Sequence, residues 1–471
     1  MGNWGGREMK RNEQGGFAMR NRVVCFTVLL VVAAGGLTTW SLIRGQEASP
    51  QKNVAPRIRS SKQQVQQGVP AEDSSESGVG SVPLIPDKEK KLSQPDENTG
   101  NPLRQQMMLS AQRGGDWLYR MNDVDGRFLS GFNPALNLDM EGTHFLSQAG
   151  AAFALARVAR LTKEERYAAR ATQSIMLLLG DTTTDPKDSR IRYTSLPSAL
   201  LNRLTSAGVL VLAINELPAP QKDVLDQSEQ LCNFIRTQVR SDGSLSCSDA
   251  AASGKPSSLQ LEADGLSAAQ ALYGLAVSQR HRPASWKGDV LRGACSYYSA
   301  IWKNQKSLTY LPFFVAAFSE ASLHSKEALF ADSVFAMCDW LVGLQYDRLD
   351  PNHPDWWGGF MACQDGKAVT QMPDISTAAA AEALAEGCRL AHLKGDPKRH
   401  ERYKSTAELA LQFVSRLQYS QGNTKHFADW YRAKLLGGFH TSQQDGNLRL
   451  DYAQHAVSAL SQYVLSMEAN P

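Results

Sequence analysis

The chain carries little net charge for its size. Its 50 lysine and arginine residues face 47 aspartate and glutamate residues, which leaves a formal charge of +3 over 471 residues. A protein that binds nucleic acid needs a basic surface to contact the phosphates, so this balance predicts no nucleic-acid partner.

Cysteine is scarce, and the seven present are too few for a disulfide scaffold in a chain of this length. The six that follow the apolar segment described below have neither CxxC nor CxH spacing, so we predict no metal site. The chain also lacks a glycine-rich phosphate loop and a G-x-S-x-G motif, and we predict no cofactor.

The amino terminus has the pattern of a membrane anchor. A basic tail (1–22) precedes 21 uncharged residues (23–43), enough helix to cross about 30 Å of hydrocarbon. The positive-inside rule predicts a cytoplasmic tail and an extracytoplasmic remainder, such as a periplasmic domain. A cleaved signal peptide is the alternative. On an oxidising side of the membrane, a Cys232–Cys247 disulfide becomes feasible.

Residues 44–101 have the composition of a disordered linker. They contain six prolines before Pro102 and a Ser/Glu/Gly-rich stretch, and no aromatic residue occurs between Trp40 and Trp117. Such a segment buries too little apolar surface to offset the entropy of ordering, so we predict a flexible tether.

Residues 102–471 show helical periodicity with almost no strand alternation, and the helical segments fall into six pairs. The first member of a pair tends to be amphipathic, and the second is rich in alanine and apolar all round, as in 205–214 and 376–387. This pattern predicts an all-α domain of six outer–inner hairpins closed into an (α/α)6 toroid around a funnel. An open helical solenoid is the alternative.

Two stretches carry a resemblance to known proteins. DWLVGLQ (339–345) leads to WWGGF (356–360), and RLQ (416–418) leads to GGFHTSQQDGNLRLDYAQHAVSAL (437–460). They resemble the QW-type repeats of the terpenoid cyclase and protein prenyltransferase toroid, in which GGF precedes an Asp and a His, here Asp451 and His455. Glycoside hydrolases, polysaccharide lyases and sugar epimerases share this architecture, so the resemblance implies the fold more strongly than an activity.

Long connections are predicted between outer and inner helices, at about 122–140, 181–197, 240–257, 345–372 and 420–448, and short ones elsewhere. Long loops inside a compact domain are usually functional. We therefore expect the ligand to bind at the end of the funnel where the inner helices begin.

Acidic residues and histidines recur where the inner helices begin. The predicted catalytic residues are Asp374, Asp451, Glu262, His455 and His144, and Glu141 and Asp264 are predicted to contact substrate. Carboxylates and imidazoles supply the proton transfers of glycan hydrolysis, elimination or epimerisation. Helix capping explains any single one of these carboxylates equally well.

Two loops also hold aromatic residues beside polar ones, a combination that suits sugar binding. The predicted substrate contacts are Trp356 and Trp357 in one loop, and His426, Asp429, Trp430 and Tyr431 in the other. The sequence thus favours a membrane-anchored carbohydrate-active toroid that binds a glycan or other small molecule. A non-catalytic binding or scaffold toroid and an isoprenoid cyclase are the alternatives, although the DxDD acid motif of the cyclases is missing.

Overall fold

The computed structural model describes residues 101–247, 257–364 and 366–468. These residues form thirteen α-helices: α1 (Pro102–Arg120), α2 (Phe145–Thr162), α3 (Glu165–Gly180), α4 (Arg203–Glu216), α5 (Lys222–Thr237), α6 (Ser258–Ser278), α7 (Ser285–Asn304), α8 (Leu311–His324), α9 (Ala328–Val342), α10 (Thr377–Leu393), α11 (Pro397–Arg416), α12 (Asp429–Leu435) and α13 (Leu450–Glu468). A 3₁₀ turn covers Pro354–Trp356.

The helices build a closed ring of six hairpins. The inner helices are α2, α4, α6, α8, α10 and α13; each packs on the next, and α13 packs on α2. The outer helices α1, α3, α5, α7, α9 and α11 surround them. Because the ring closes, the open solenoid is wrong and the (α/α)6 toroid is confirmed.

The inner helices are buried because their side chains are apolar on every face. In α4 all residues from Leu204 to Glu216 are buried. Glycine allows α4 and α6 to approach closely: a Cβ on Gly274 would lie 2.3 Å from the carbonyl oxygen of Gly208. Small residues therefore set the tight spacing of the ring.

The glutamines before the GGF turns are structural. Gln418 Nε2 donates to the carbonyls of Ser110 (3.0 Å) and Gly437 (3.0 Å), and Ser110 Oγ donates to Gln418 Oε1 (2.8 Å). Gln345 Nε2 likewise donates to the carbonyls of Gly358 and Thr406. Each side chain thus ties the end of an outer helix to its turn and to the neighbouring outer helix.

Most outer-to-inner connections are long, as predicted, and they gather at the end of the ring where the inner helices begin, here called the mouth. The exception is 305–310, between α7 and α8. Since outer helices end at the mouth, α1 begins at the opposite, closed end, where the side chain of Asn101 caps it by accepting from the backbone N–H of Leu103.

In the described parts of the mouth loops there are eight short strands that the helical periodicity did not reveal: β1 (Gly131–Asn133), β2 (Leu138–Asp139), β3 (Thr182–Thr184), β4 (Arg192–Thr194), β5 (Ala362–Gln364), β6 (Lys367–Val369), β7 (His440–Ser442) and β8 (Asp445–Arg449). Strands of two to five residues are too short for alternation to be recognised. One antiparallel sheet has the order β2-β1-β8-β7 and joins the first mouth loop to the last.

Three sequence predictions concern the amino-terminal part of the chain. The basic tail (1–22), the membrane span (23–43) and the linker (44–101), apart from Asn101, lie outside the described residues. Within the described ranges, every helix is too short or too polar to cross a bilayer. Cys232 and Cys247 are both buried free thiols, so the disulfide considered above is wrong.

Candidate functional site

The funnel holds two connected chambers. The upper chamber lies at the mouth, with an empty volume of about 1160 Å³ including open solvent, and its wall includes Asp374, Asp451 and His455. The lower chamber lies between the inner helices and has an empty volume of about 760 Å³, which also includes open solvent. Pro312, Phe313, Ala379 and His455 line both chambers, so His455 stands at their junction.

Asp374 lies on the upper-chamber wall just before α10. Its Oδ1 accepts from the backbone N–H (2.9 Å) and the hydroxyl (2.5 Å) of Ser376. Burial raises the pKa of this carboxyl group, although the two hydrogen bonds oppose the shift. The local turn thus orients a carboxyl group that holds a proton more readily than an exposed aspartate does.

Asp451 occupies the first turn of α13 and is only 4% exposed. Arg449, at the end of β8, donates to both of its carboxylate oxygens at 3.0 and 2.6 Å. This bidentate pair compensates the buried negative charge and fixes its orientation. Asp451 therefore places an oriented charge in the same chamber as Asp374.

His455 follows Asp451 by one helical turn, so it faces the same side of α13. Its ring meets Phe313 edge-on, with the centroids 6.0 Å apart. Burial lowers the pKa of His455, and the charges of Glu382 and Asp451 counter this only in part. The imidazole is therefore neutral near pH 7 and able to accept a proton.

His144 occupies the N-cap position of α2, but its side chain makes no capping hydrogen bond. Burial lowers its pKa and the charge of Asp451 opposes the shift, so these two predicted residues interact electrostatically across the ring closure. Its Nδ1 is buried and has no hydrogen-bond partner among the residues that the structure describes. His144 does not line either chamber.

The remaining acidic candidates stand apart from this group. Glu262, in the first turns of α6, accepts from Ser307 Oγ at 2.8 Å, and Asp264 accepts from Gln260 Nε2 at 2.8 Å. Glu141 is exposed in the first mouth loop. The structure brings Asp374, Asp451 and His455 together in one chamber, and it does not bring Glu262, Asp264 or Glu141 to that chamber's wall.

The two tryptophans of the 343–376 loop lie at the outer rim. The ring of Trp356 stacks on His353, with the centroids 4.0 Å apart, and Arg416 at the end of α11 donates to the carbonyl of Trp357. Both indole rings are half-buried, and neither lines a chamber.

The aromatic residues of the last loop form a second rim cluster. The Tyr431 hydroxyl donates to the carbonyl of Pro134, which fastens this loop to the first mouth loop. Trp430 is 66% exposed and meets Tyr431 edge-on, and the exposed Asp429 pairs with Arg432. His426 is exposed and packs on Phe427. None of the four predicted contacts in this loop lines either chamber.

The floor of the funnel contains functional-site neighbours that the sequence did not predict. Arg157 is fully buried at the ring centre and donates to Glu382 (2.5 Å), Ser458 (2.8 Å), Tyr273 (2.8 Å) and Glu216 (3.3 Å). These partners come from four other inner helices, so one guanidinium group connects five of the six. An arginine inside an alanine-rich helix that is apolar all round was the available signal, because a buried charge requires partners.

Further ion pairs extend the floor toward the closed end. Glu216 also accepts from Arg160 (2.6 Å) and Arg280 (2.9 Å), and Arg280 pairs with Glu320 on α8. Burial alone would raise the pKa of Glu216, but the surrounding guanidinium groups lower it. The funnel is therefore blocked below the lower chamber by a charged and fully paired layer.

Comparison with known proteins identifies the architecture. No protein-family model matches the chain, and a search of curated proteins finds no relative. Among solved structures, the cellobiose 2-epimerase of Bacillus thermoamylovorans is 10% identical, with 77% of this chain and 99% of that chain covered and a TM-score of 0.55.

Two further structures give similar values. A D-mannose isomerase is 12% identical, with coverage of 78% and 99% and a TM-score of 0.54. An unsaturated glucuronyl hydrolase specific for heparin is 11% identical, with coverage of 77% and 98% and a TM-score of 0.52. At these identities the likeness concerns the fold alone, and it agrees with the six-hairpin (α/α)6 toroid described above.

Proposed function

We propose that this protein is a carbohydrate-active enzyme in which Asp374 donates a proton to the substrate and His455 accepts one. The observation that carries the proposal is the arrangement of these two groups in one chamber. Burial raises the pKa of Asp374 and lowers that of His455. An acid that keeps its proton can donate it, and a base that stays neutral can accept one. Two such groups in one chamber are typical of acid–base catalysis.

Asp451 supports the proton acceptor in this scheme. Its charge favours the protonated form of His455, so it stabilises the imidazolium ion that forms when a proton is taken. Arg449 holds the Asp451 carboxylate in position. Asp451 and His455 thus act as a pair, while Asp374 acts on another part of the substrate.

The reaction class is hydrolysis, elimination or epimerisation at a sugar, because each requires a proton donor and a proton acceptor. The similar structures support a sugar substrate at the level of fold: their names denote an epimerase, an isomerase and a hydrolase of saccharides. A mannanase with the same architecture has been solved with α-1,6-mannotriose (TM-score 0.51). Glu262 remains a predicted catalytic residue outside the described chamber walls.

The proposal includes an extracytoplasmic location for the toroid, tethered by the uncharged segment 23–43. The basic residues before this segment support that orientation. Protease added to spheroplasts, from which any outer barrier has been removed, should release the toroid, whereas protection of the toroid until the cytoplasmic membrane is opened would refute the orientation.

The test is turnover of a glycan panel by the full chain and by Asp374→Asn and His455→Gln variants. We expect each substitution to lower kcat by about 100-fold or more, because general acid or base catalysis contributes about 10² to 10⁴. Asp332→Asn, an exposed aspartate on α9, is the matched control and should leave turnover unchanged. Saccharide binding without turnover by the unaltered chain would refute the enzyme and favour the non-catalytic binding toroid.

One observation favours an isoprenoid cyclase as a second candidate, namely the aromatic lining of the lower chamber by Phe153, Tyr273 and Phe313. A cyclase of this type also needs a protonated acid deep in the cavity. The deep carboxylate, Glu382, is already engaged by the guanidinium group of Arg157 and by the hydroxyl of Ser458. Turnover of an isoprenoid diphosphate or a polyprene, rather than a saccharide, would reverse this preference.

A further inference from the structure

We propose that Gln270 and Gln454 bind hydroxyl groups of a single sugar unit in the lower chamber. This inference rests on the proposed function and specifies where its substrate is held. Both side chains line the lower chamber, and both amide oxygens are buried without a hydrogen-bond partner among the described residues. A buried acceptor without a partner is costly, so it calls for a donor from a ligand.

The two glutamines lie on opposite walls. In the ring order α2, α4, α6, α8, α10 and α13, the helices of Gln270 (α6) and Gln454 (α13) are three places apart. Each glutamine lies about one helical turn nearer the mouth than a residue of its own helix that binds Arg157. That residue is Tyr273 for Gln270 on α6 and Ser458 for Gln454 on α13. The two glutamine side chains therefore border the lower chamber from opposite sides, so one ligand in the chamber lies between them.

The placement of Gln454 depends on a glycine. A Cβ on Gly150 of α2 would lie 2.0 Å from Gln454 Oε1, so a larger residue there would displace the amide. Between the two glutamines the wall is apolar, with Phe153 and Phe313 among its residues. Amides for hydroxyl groups and aromatic surface for a ring face together fit a sugar. An isoprenoid would leave both amide oxygens without a donor.

The floor limits how far a ligand can enter. Arg157 and its partners close the funnel below the lower chamber and satisfy one another. A chain that passes through the funnel is therefore excluded, and the lower chamber receives a free sugar or the end of a glycan.

The test measures saccharide binding by calorimetry with the full chain carrying Asp374→Asn, so that turnover does not consume the probe. The probes are D-glucose, D-mannose, N-acetyl-D-glucosamine and cellobiose. For the sugar that binds, Gln270→Met and Gln454→Met should each weaken affinity about five- to tenfold, the value of one hydrogen bond. Gln421→Met, at an exposed glutamine outside the chambers, is the control and should bind like its parent.

Monodeoxy analogues separate a direct contact from a structural role. Removing the hydroxyl that a glutamine binds should weaken binding to the parent protein but not to the corresponding methionine variant. Unchanged affinity in both methionine variants, or no binding of any probe, would overturn the inference. The proposed function can fail independently: glutamine-dependent binding with no turnover by the unaltered chain would refute the enzyme and leave the sugar site.

Discussion

The buried Arg157 gives the sharpest prediction about stability. The Arg157→Met change keeps the aliphatic length of the side chain but removes the guanidinium group from the centre of the ring. Glu382 then loses its cation, whereas Glu216 retains Arg160 and Arg280. The two glutamates therefore respond differently, and most of the penalty should arise at Glu382.

The magnitude follows from the contacts. Removing one partner of a buried ion pair costs about 3–5 kcal/mol, and each lost hydrogen bond from the charged guanidinium group to a hydroxyl, at Tyr273 and Ser458, costs about 1.5 kcal/mol. These terms overlap because Ser458 also donates to Glu382 at 2.8 Å. We expect a loss of about 5 kcal/mol in the free energy of unfolding.

Urea unfolding of the full chain, followed by circular dichroism, measures this loss as a shift of the midpoint. Arg157→Met combined with Glu382→Leu is the matched variant and should recover at least half of the loss, because it removes the uncompensated charge. A loss below about 1 kcal/mol, or a double variant no more stable than the single one, would refute this account.

Three further predictions concern stability outside the funnel. Burial lowers the pKa of His440 to about 4, so the unfolded chain binds a proton there at a higher pH than the folded chain does. The free energy of unfolding should therefore fall by about 3 kcal/mol at this residue as the pH drops from about 7 to 4, and His440→Gln should flatten that part of the curve. Gln418→Leu removes three hydrogen bonds that join the end of α11 to the last mouth loop and to α1, so it should lower the free energy of unfolding in urea by about 3 kcal/mol. Gln421→Leu, at an exposed glutamine, is the control and should change this free energy by less than about 0.5 kcal/mol. Gly437→Ala should lower the free energy of unfolding by about 3 kcal/mol, because φ at this residue is +88° and the new Cβ would lie 2.0 Å from a carbonyl oxygen of α1. Gly288→Ala, at an open position in α7, is the control and should raise the melting temperature. Equal effects of the two alanines would contradict this explanation.

Local patterns were sufficient where the structure repeats locally. The all-round apolar segments predicted the inner helices, and the glutamine followed by a GGF turn marked the places where an outer helix meets its neighbour. Gln418 shows why: its amide donates to the carbonyl of Gly437 in the GGF turn and to that of Ser110 on the neighbouring outer helix, and Gln345 makes the same two kinds of contact. Asp374, Asp451 and His455 share one chamber because a residue at or near the start of an inner helix must lie near the mouth.

The same reasoning was weaker for Trp356 and Glu262. A tryptophan in a mouth loop can face the funnel or the outer rim, and Trp356 packs at the rim against His353. Glu262 begins an inner helix as Asp451 does, but its side chain bonds Ser307. The contact of Glu262 with Ser307, 45 residues further along the chain, is one that no local pattern contains.

The sequence by itself determined that there are six hairpins, which member of each pair is buried, and at which end the long loops gather, because helical periodicity and turn composition are properties of neighbouring residues. Only the tertiary structure decided which polar side chains meet. One residue along a helix turns a side chain by about 100°, so ring closure selects whether Gln270, Gln454 or Arg157 faces the axis. The partners of Arg157 come from four helices spread over the chain, and only the closed ring assembles them around one charge.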